Sequence, residues 1–312
     1  MDLLISILAI LTGIILIHIG SKEVVFSALS LSERINLHKA AVGAIFVALA
    51  TSLPEFVTSL VAALSVSSYM ALGNIIGSNI YNVPLVLGIC GLIREFRIKD
   101  NPVKDQCLFM IGMSGMITLI SLVFGAVTWW IALSFLAAYP IIIFYHIRRG
   151  NGSGQTVNGS IRLDAKIIAA IILGGAILAC GSYLLVHGAL SVVNALGITH
   201  FYAGLTILSF GCIIPELAVS VAAAIRGEEE ISIGNVIGDN IITMTLVLGS
   251  VGLIRPFVVS FFDIISTVPF MILVTLILYA MALRRCKVTK VWSVLMLALA
   301  GIFLLEISYN VI

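Results

Sequence analysis

The chain has 312 residues, 61% hydrophobic and 10% charged, with a formal net charge of +2. A soluble domain of this size carries about a quarter charged residues, so the composition excludes an ordinary water-soluble protein. The five cysteines (Cys90, Cys107, Cys180, Cys212, Cys286) form no CxxC pair, which leaves no zinc site or disulfide framework to expect.

Runs of about 20 apolar residues span a bilayer. Ten such spans are expected, at roughly 3–21, 40–66, 69–93, 106–126, 128–146, 165–186, 200–225, 230–254, 258–283 and 290–311. The first has no basic flank before it and no small-residue cleavage site after it, so it reads as a retained helix. Connections around Ser67, Val127 and Gly227 are very short and force their neighbouring spans to run antiparallel. With the N-terminus outside, sixteen of the seventeen Lys and Arg residues fall on inner loops and only Arg255 falls outside. This asymmetry orients the chain with both termini out, in the cell membrane. The segment Arg148–Asp164 is polar and rich in Gly and Ser, which makes it a flexible cytoplasmic tether.

The chain repeats itself. ATSLPE (Ala50–Glu55) and GNIIGSNIYN (Gly73–Asn82) return as GCIIPE (Gly211–Glu216) and GNVIGDNIIT (Gly234–Thr243), 161 residues on and without a gap. Gly13, Gly20 and the run Leu85–Gly88 have counterparts at the same offset. Two units are therefore expected, 1–147 and 165–312, joined by the linker 148–164, with the repeated motifs at 44–82 and 205–243. Each unit holds five spans. An odd number turns the second upside down, and inverted repeats of this kind build secondary transporters with a site where the halves meet. The expected fold is an all-α integral membrane protein of ten transmembrane helices in two inverted five-helix repeats.

Glu55 and Glu216 lie about halfway through their spans, and Asp239 lies in the eighth. Each ionised acid at a helix centre costs about 2.5–3.5 kcal/mol on insertion scales, and no Lys or Arg shares their depth. They must be protonated, solvated or paired with a bound cation. A single such acid could equally be protonated helix glue; a repeat-related pair with a third acid favours a cation site. Pro54 and Pro215 each free a carbonyl one turn back, at Ala50 and Gly211. Ser78 and Asn82, like Asp239 and Thr243, are four apart and share a helix face. The donors are all oxygens, which suits hard cations, with calcium the default divalent and sodium able to use the same oxygens. The Cys212 thiol reads as a small packing group.

These residues resemble the alpha repeats of the sodium/calcium exchanger family, within the calcium/cation antiporter superfamily, in its prokaryotic type without a regulatory domain. The resemblance covers essentially the whole chain. It implies alternating access, calcium held by Glu55 and Glu216 with the backbone at Thr51 and Cys212, and sodium held at Ser52, the position of Ile213, Ser78, Asp239, Asn82 and Thr243, with the backbone at Ala48 and Ser209. The second repeat departs from the family pattern GTSLPE by reading GCIIPE. Ile213 removes a hydroxyl, Asp239 stands where serine is usual, and Thr243 stands where an acid is usual. The resulting expectation is a secondary antiporter exchanging Ca2+ for Na+ at a carboxylate site between the halves. Proton-coupled export of calcium or another divalent is the alternative. An intramembrane aspartyl protease would need a second mid-span Asp, which the chain lacks, and a channel would need no counter-ion gradient. No enzyme activity, cofactor, nucleic-acid partner or obligatory protein partner is expected; the partners are the two ions and the lipid bilayer.

Overall fold

In the computed structural model, residues 3–34, 49–98, 100–149 and 165–311 are described. Residues 40–48 of the expected second span, and all of the expected linker beyond Arg149, lie outside them. The helices are α1 (Leu3–Arg34), α2 (Leu53–Ser65), α3 (Ser68–Tyr81), α4 (Leu87–Ile93), α5 (Asp100–Val123), α6 (Trp129–Arg149), α7 (Ala165–Leu196), α8 (His200–Ala203), α9 (Ser209–Cys212), α10 (Ile214–Arg226), α11 (Glu229–Ile242), α12 (Leu248–Ile254), α13 (Phe261–Leu283) and α14 (Lys290–Val311). Single π-helical turns link α3 to α4 (Asn82–Val86), α8 to α9 (Gly204–Leu208) and α11 to α12 (Thr243–Val247).

Seven helical stretches among the described residues are long and apolar enough to cross a bilayer, and the bent pair His200–Cys212 and Ile214–Arg226 makes an eighth. Leu49–Ser65 and Trp129–Ile142, where two more spans were expected, are shorter apolar helices. The all-α membrane architecture stands; ten full spans are not seen among the described residues. Two expected boundaries also move. α1 and α7 each run for 32 residues, well past the expected ends at 21 and 186. Neither contains a proline, so nothing in the local chemistry stops them where the apolar stretch ends.

Layering follows burial. The span Ser68–Ile93 is 83% buried and Ile231–Ile254 is 72% buried, against 22% for the windows in α1 and α7. α3–α4 and α11–α12 form the centre; α1 and α7 turn Leu11, Ile15, Ile172 and Leu173 outward, as a lipid-facing helix must.

The 161-residue offset governs the structure as well as the sequence. α2 begins at Leu53 and α10 at Ile214; α3 and α11, the π turns after them, and α4 and α12 start and stop at matching positions. Two short antiparallel pairings join the halves. β1 (Phe96–Arg97) pairs with β4 (Lys287–Val288), and β2 (Ala126–Val127) pairs with β3 (Phe257–Val258). Shifting Phe96↔Val288 by the offset gives Phe257↔Val127, so the halves exchange under a pseudo-two-fold operation. Beside β1 the Lys287 ammonium binds Glu95 at 2.7 Å, and that hydrogen bond holds the Glu95 carboxyl below the usual carboxylate range.

The repeat-related helices α1 and α7 cross antiparallel. A Cβ on Gly13 would lie 2.8 Å from Gly181 O, and one on Gly20 would lie 2.6 Å from Gly174 O. Only glycine lets two backbones approach this closely. These counterparts running in opposite directions are what an inverted repeat produces.

Candidate cation site

The helix breaks place the acids. The sequence places Pro54 and Pro215 inside continuous spans, each freeing a carbonyl one turn back. Instead each helix stops and restarts, at Ser52 before α2 and at Ile213 before α10. The two pieces of the second break meet at 41°. Pro54 and Pro215 occupy the first turn of the new helices, where a missing N–H costs nothing. Glu55 and Glu216 follow in the same turn. Each carboxylate thus sits at a helix N-terminus, whose partial positive charge is roughly half an elementary unit.

Glu55, Glu216 and Asp239 come from α2, α10 and α11, yet each offers a carboxylate oxygen within 4.8 Å of the others. All three have no exposed surface, so the cluster is fully buried. The buried polar side chains around it are Ser, Thr and Asn; no Lys or Arg is buried among the described residues. Both carboxylate oxygens of Glu55 and of Glu216 lack any hydrogen-bond partner, as do Asn74 Oδ1, Ser78 Oγ and Asn82 Oδ1. A buried group left unpartnered costs about 1–3 kcal/mol, and more if charged. The three converging carboxylates with unpartnered glutamate oxygens have the chemistry of a hard-cation site, since calcium and sodium are bound by oxygens.

Asp239 is held differently. Ser52 Oγ donates to its Oδ1 at 2.5 Å and Asn82 Nδ2 donates to its Oδ2 at 2.7 Å. The Asp239 carboxylate is therefore clamped by two residues of the first half. Thr243 Oγ1 accepts from Asn79 Nδ2 at 2.7 Å and donates to the Asp239 carbonyl at 3.0 Å; its hydroxyl ties α11 to α3. Ser209 Oγ turns back onto Leu205 O at 2.6 Å. The Cys212 thiol donates to Pro54 O across the halves at 3.7 Å, and Thr51 Oγ1 donates to Asn235 Oδ1 at 2.8 Å. Ala48 lies outside the described residues.

A frame of asparagines lies about the acids, and apart from Asn82 its members are not among the site residues expected from the sequence. Asn74 Nδ2 donates to Ser59 Oγ at 3.0 Å and Asn235 Nδ2 to Ser220 Oγ at 3.2 Å. Asn240 accepts from Asn82 Nδ2 and donates to Asn79 O. The first two bonds are one bond repeated at the 161-residue offset. That recurrence was the signal available: both partners of each pair are duplicated together.

The pseudo-symmetry also explains two of the orphan oxygens. Ser52 donates to Asp239; the repeat of this contact would join residue 213 to Ser78. Residue 213 is isoleucine, and Ser78 Oγ has no partner. Thr51 donates to Asn235 Oδ1; its repeat would join residue 212 to Asn74 Oδ1. Residue 212 is cysteine, and Asn74 Oδ1 has no partner. The substitutions in GCIIPE are felt on the facing helix.

A two-repeat helical membrane fold around a closed cluster of oxygen donors is the architecture of an ion transporter. Known proteins agree. The family model described as sodium/calcium exchanger protein matches residues 5–148 and again 166–308. The chain belongs to the sodium/calcium exchanger family, whose members are transporters and not enzymes. It is 27% identical to the sodium/calcium exchanger MaX1 of Methanosarcina acetivorans, over 98% of this chain and 99% of that protein. It is 29% identical to the inner membrane protein YrbG of Escherichia coli, over 79% of each. Among solved structures it matches the sodium-calcium exchanger NCX_Mj soaked with 10 mM Na+ and zero Ca2+, with a TM-score of 0.67, 26% identity, and 98% and 99% coverage of the two chains.

Proposed function

We propose that this protein exchanges Ca2+ for Na+ across the cell membrane by alternating access to the Glu55–Glu216–Asp239 cluster, with both termini outside. The observation that carries the reading is the pair of buried glutamates with four unpartnered oxygens beside a third acid and, among the described residues, no buried cationic side chain. A divalent cation supplies the missing positive charge and satisfies those oxygens. Ser78 Oγ and Asn82 Oδ1 are the neutral donors that support it. Membership of the exchanger family and the likeness to MaX1 over the full length favour the same ions.

One observation favours a second counter-ion. Of the positions the family resemblance gives to sodium, Ile213 offers no oxygen and the Thr243 hydroxyl is engaged by Asn79 and the backbone. A site with fewer free sodium donors is suited to exchange protons for the divalent ion.

Glu55→Gln and Glu216→Gln test the shared site. Each keeps the side-chain shape and removes one charge. Each is expected to lower calcium flux in proteoliposomes by at least about a hundredfold, the cost of leaving a divalent ion without one buried carboxylate. Wild-type flux in either variant would show that the two glutamates do not share the ion.

A further inference from the structure

α4 and α12 both end on an arginine. Arg94 and Arg255 are 161 residues apart, and each follows its helix in extended backbone, with φ −147° and −144°. That turn throws the side chain sideways onto the other half. Arg255 Nη1 donates to Ala63 O at 3.2 Å, near the C-terminus of α2, the helix that begins at Glu55. Ser68 Oγ donates to the Arg255 carbonyl at 3.1 Å, so the same junction is bonded in both directions. Arg94 lies over the C-terminus of α10, the helix that begins at Glu216. A Cβ on Gly227, which closes α10 at φ +79°, would lie 2.6 Å from Arg94 Nη1 and 2.9 Å from its Cζ. The last carbonyls of a helix lack internal partners, and a guanidinium at that end also meets the negative end of the helix dipole.

We propose that Arg94 and Arg255 are positioning residues for transport. Each latches the far end of the glutamate helix of the opposite half, and the balance of the two latches sets which face of the cation cluster opens. The proposal rests on the alternating-access reading above. α2 and α10 are the helices whose first turns carry Glu55 and Glu216, so movement of a helix end moves a ligand. α2 ends at the α2–α3 turn and α10 at the α10–α11 turn; the pseudo-two-fold operation that exchanges them also reverses α1 onto α7, which puts the two latches on opposite faces. With both arginines in place the cluster is fully buried, the occluded state. At the α2–α3 turn, a cavity of about 380 Å³ bordered by Ser67, Tyr69, Arg255, Phe257 and Ser260 leaves space beside the latch. The latch also accounts for Arg255 as the one basic residue the charge pattern places outside: it is the repeat of Arg94.

The test is the sidedness of calcium affinity. In proteoliposomes loaded for forward and for reverse exchange, the apparent KM for calcium is measured from each face and the ratio taken. Arg94→Gln and Arg255→Gln are expected to move that ratio in opposite directions, each on the order of tenfold, the value of one charge-assisted hydrogen bond. The double variant is expected to return near the wild-type ratio, and Arg→Lys at either position to recover part of the shift. Where a glutamine variant does not fold, Arg94→Lys and Arg255→Lys, which keep the charge and lose the planar fork, decide the question: each is expected to move the ratio in the direction of its glutamine variant by a smaller amount. A merely structural role would lower flux from both faces alike. Ratios unmoved, or moved in one common direction, overturn the latch. Absence of exchange in the wild-type protein would instead overturn the transport reading itself.

Discussion

At the scale of single residues, the site is a symmetric scaffold with deliberate asymmetries of composition. Thr51 satisfies Asn235 Oδ1 at 2.8 Å, while its repeat, Cys212, gives its weak S–H donor to Pro54 O and leaves Asn74 Oδ1 unpaired. Cys212→Thr restores the missing hydroxyl. It is expected to raise stability by about 1 kcal/mol, the net worth of one buried hydrogen bond, read as a higher midpoint of thermal unfolding in detergent. A lower midpoint would contradict the symmetric reading of this pair. The three acids were legible in the sequence because a carboxylate in an apolar run is expensive and conspicuous. The asparagine frame was not. Asn74 and Asn235 cost far less in such a run, and their serine partners lie on a different helix, so only the repeat ties each pair together.

At the scale of elements, close backbone crossings and helix breaks place the donors. The α1–α7 crossing tests this directly. Gly20→Val would drive a side chain into Leu178 N, 2.5 Å from the Cβ position, whereas the space at Gly175 is open. Gly20→Val is expected to destabilise the protein by about 1–3 kcal/mol, the usual cost of overpacking, and to reduce flux; Gly175→Val is expected to leave both near wild type. Equal behaviour of the two variants in thermal unfolding would show that the crossing is not tight. The sequence indicated the helical class, the short connections and the repeat, because apolar length and a fixed offset survive without coordinates. It misplaced the helix ends and the nature of the breaks. Lys22 and Glu23 mark a change of polarity, which does not stop a helix as a proline does. Pro54 and Pro215 read as interior prolines that free a carbonyl, but proline is equally suited to a helix's first turn, and only the fold selects between these.

At the scale of the whole molecule, the two halves are built alike and differ around the buried carboxylate cluster. Repeat-related strands, glycine crossings and arginine latches hold them as equivalent bodies around one buried cluster. Near-equivalence of this kind gives two facing states of similar free energy, which a transporter must visit in turn. In the proposed exchange, the differences between the repeats at Cys212, Ile213, Asp239 and Thr243 leave the two glutamates in place and alter their surroundings, so they are expected to bear on the counter-ion more than on the divalent ion. The most direct measurement is calcium uptake into proteoliposomes of the wild-type protein, with an outward sodium gradient, an outward proton gradient, or neither. Uptake is expected with an outward cation gradient and not without it, with sodium the stronger driver. Uptake that proceeds equally with no counter-ion gradient would contradict exchange at a closed, alternately opened site.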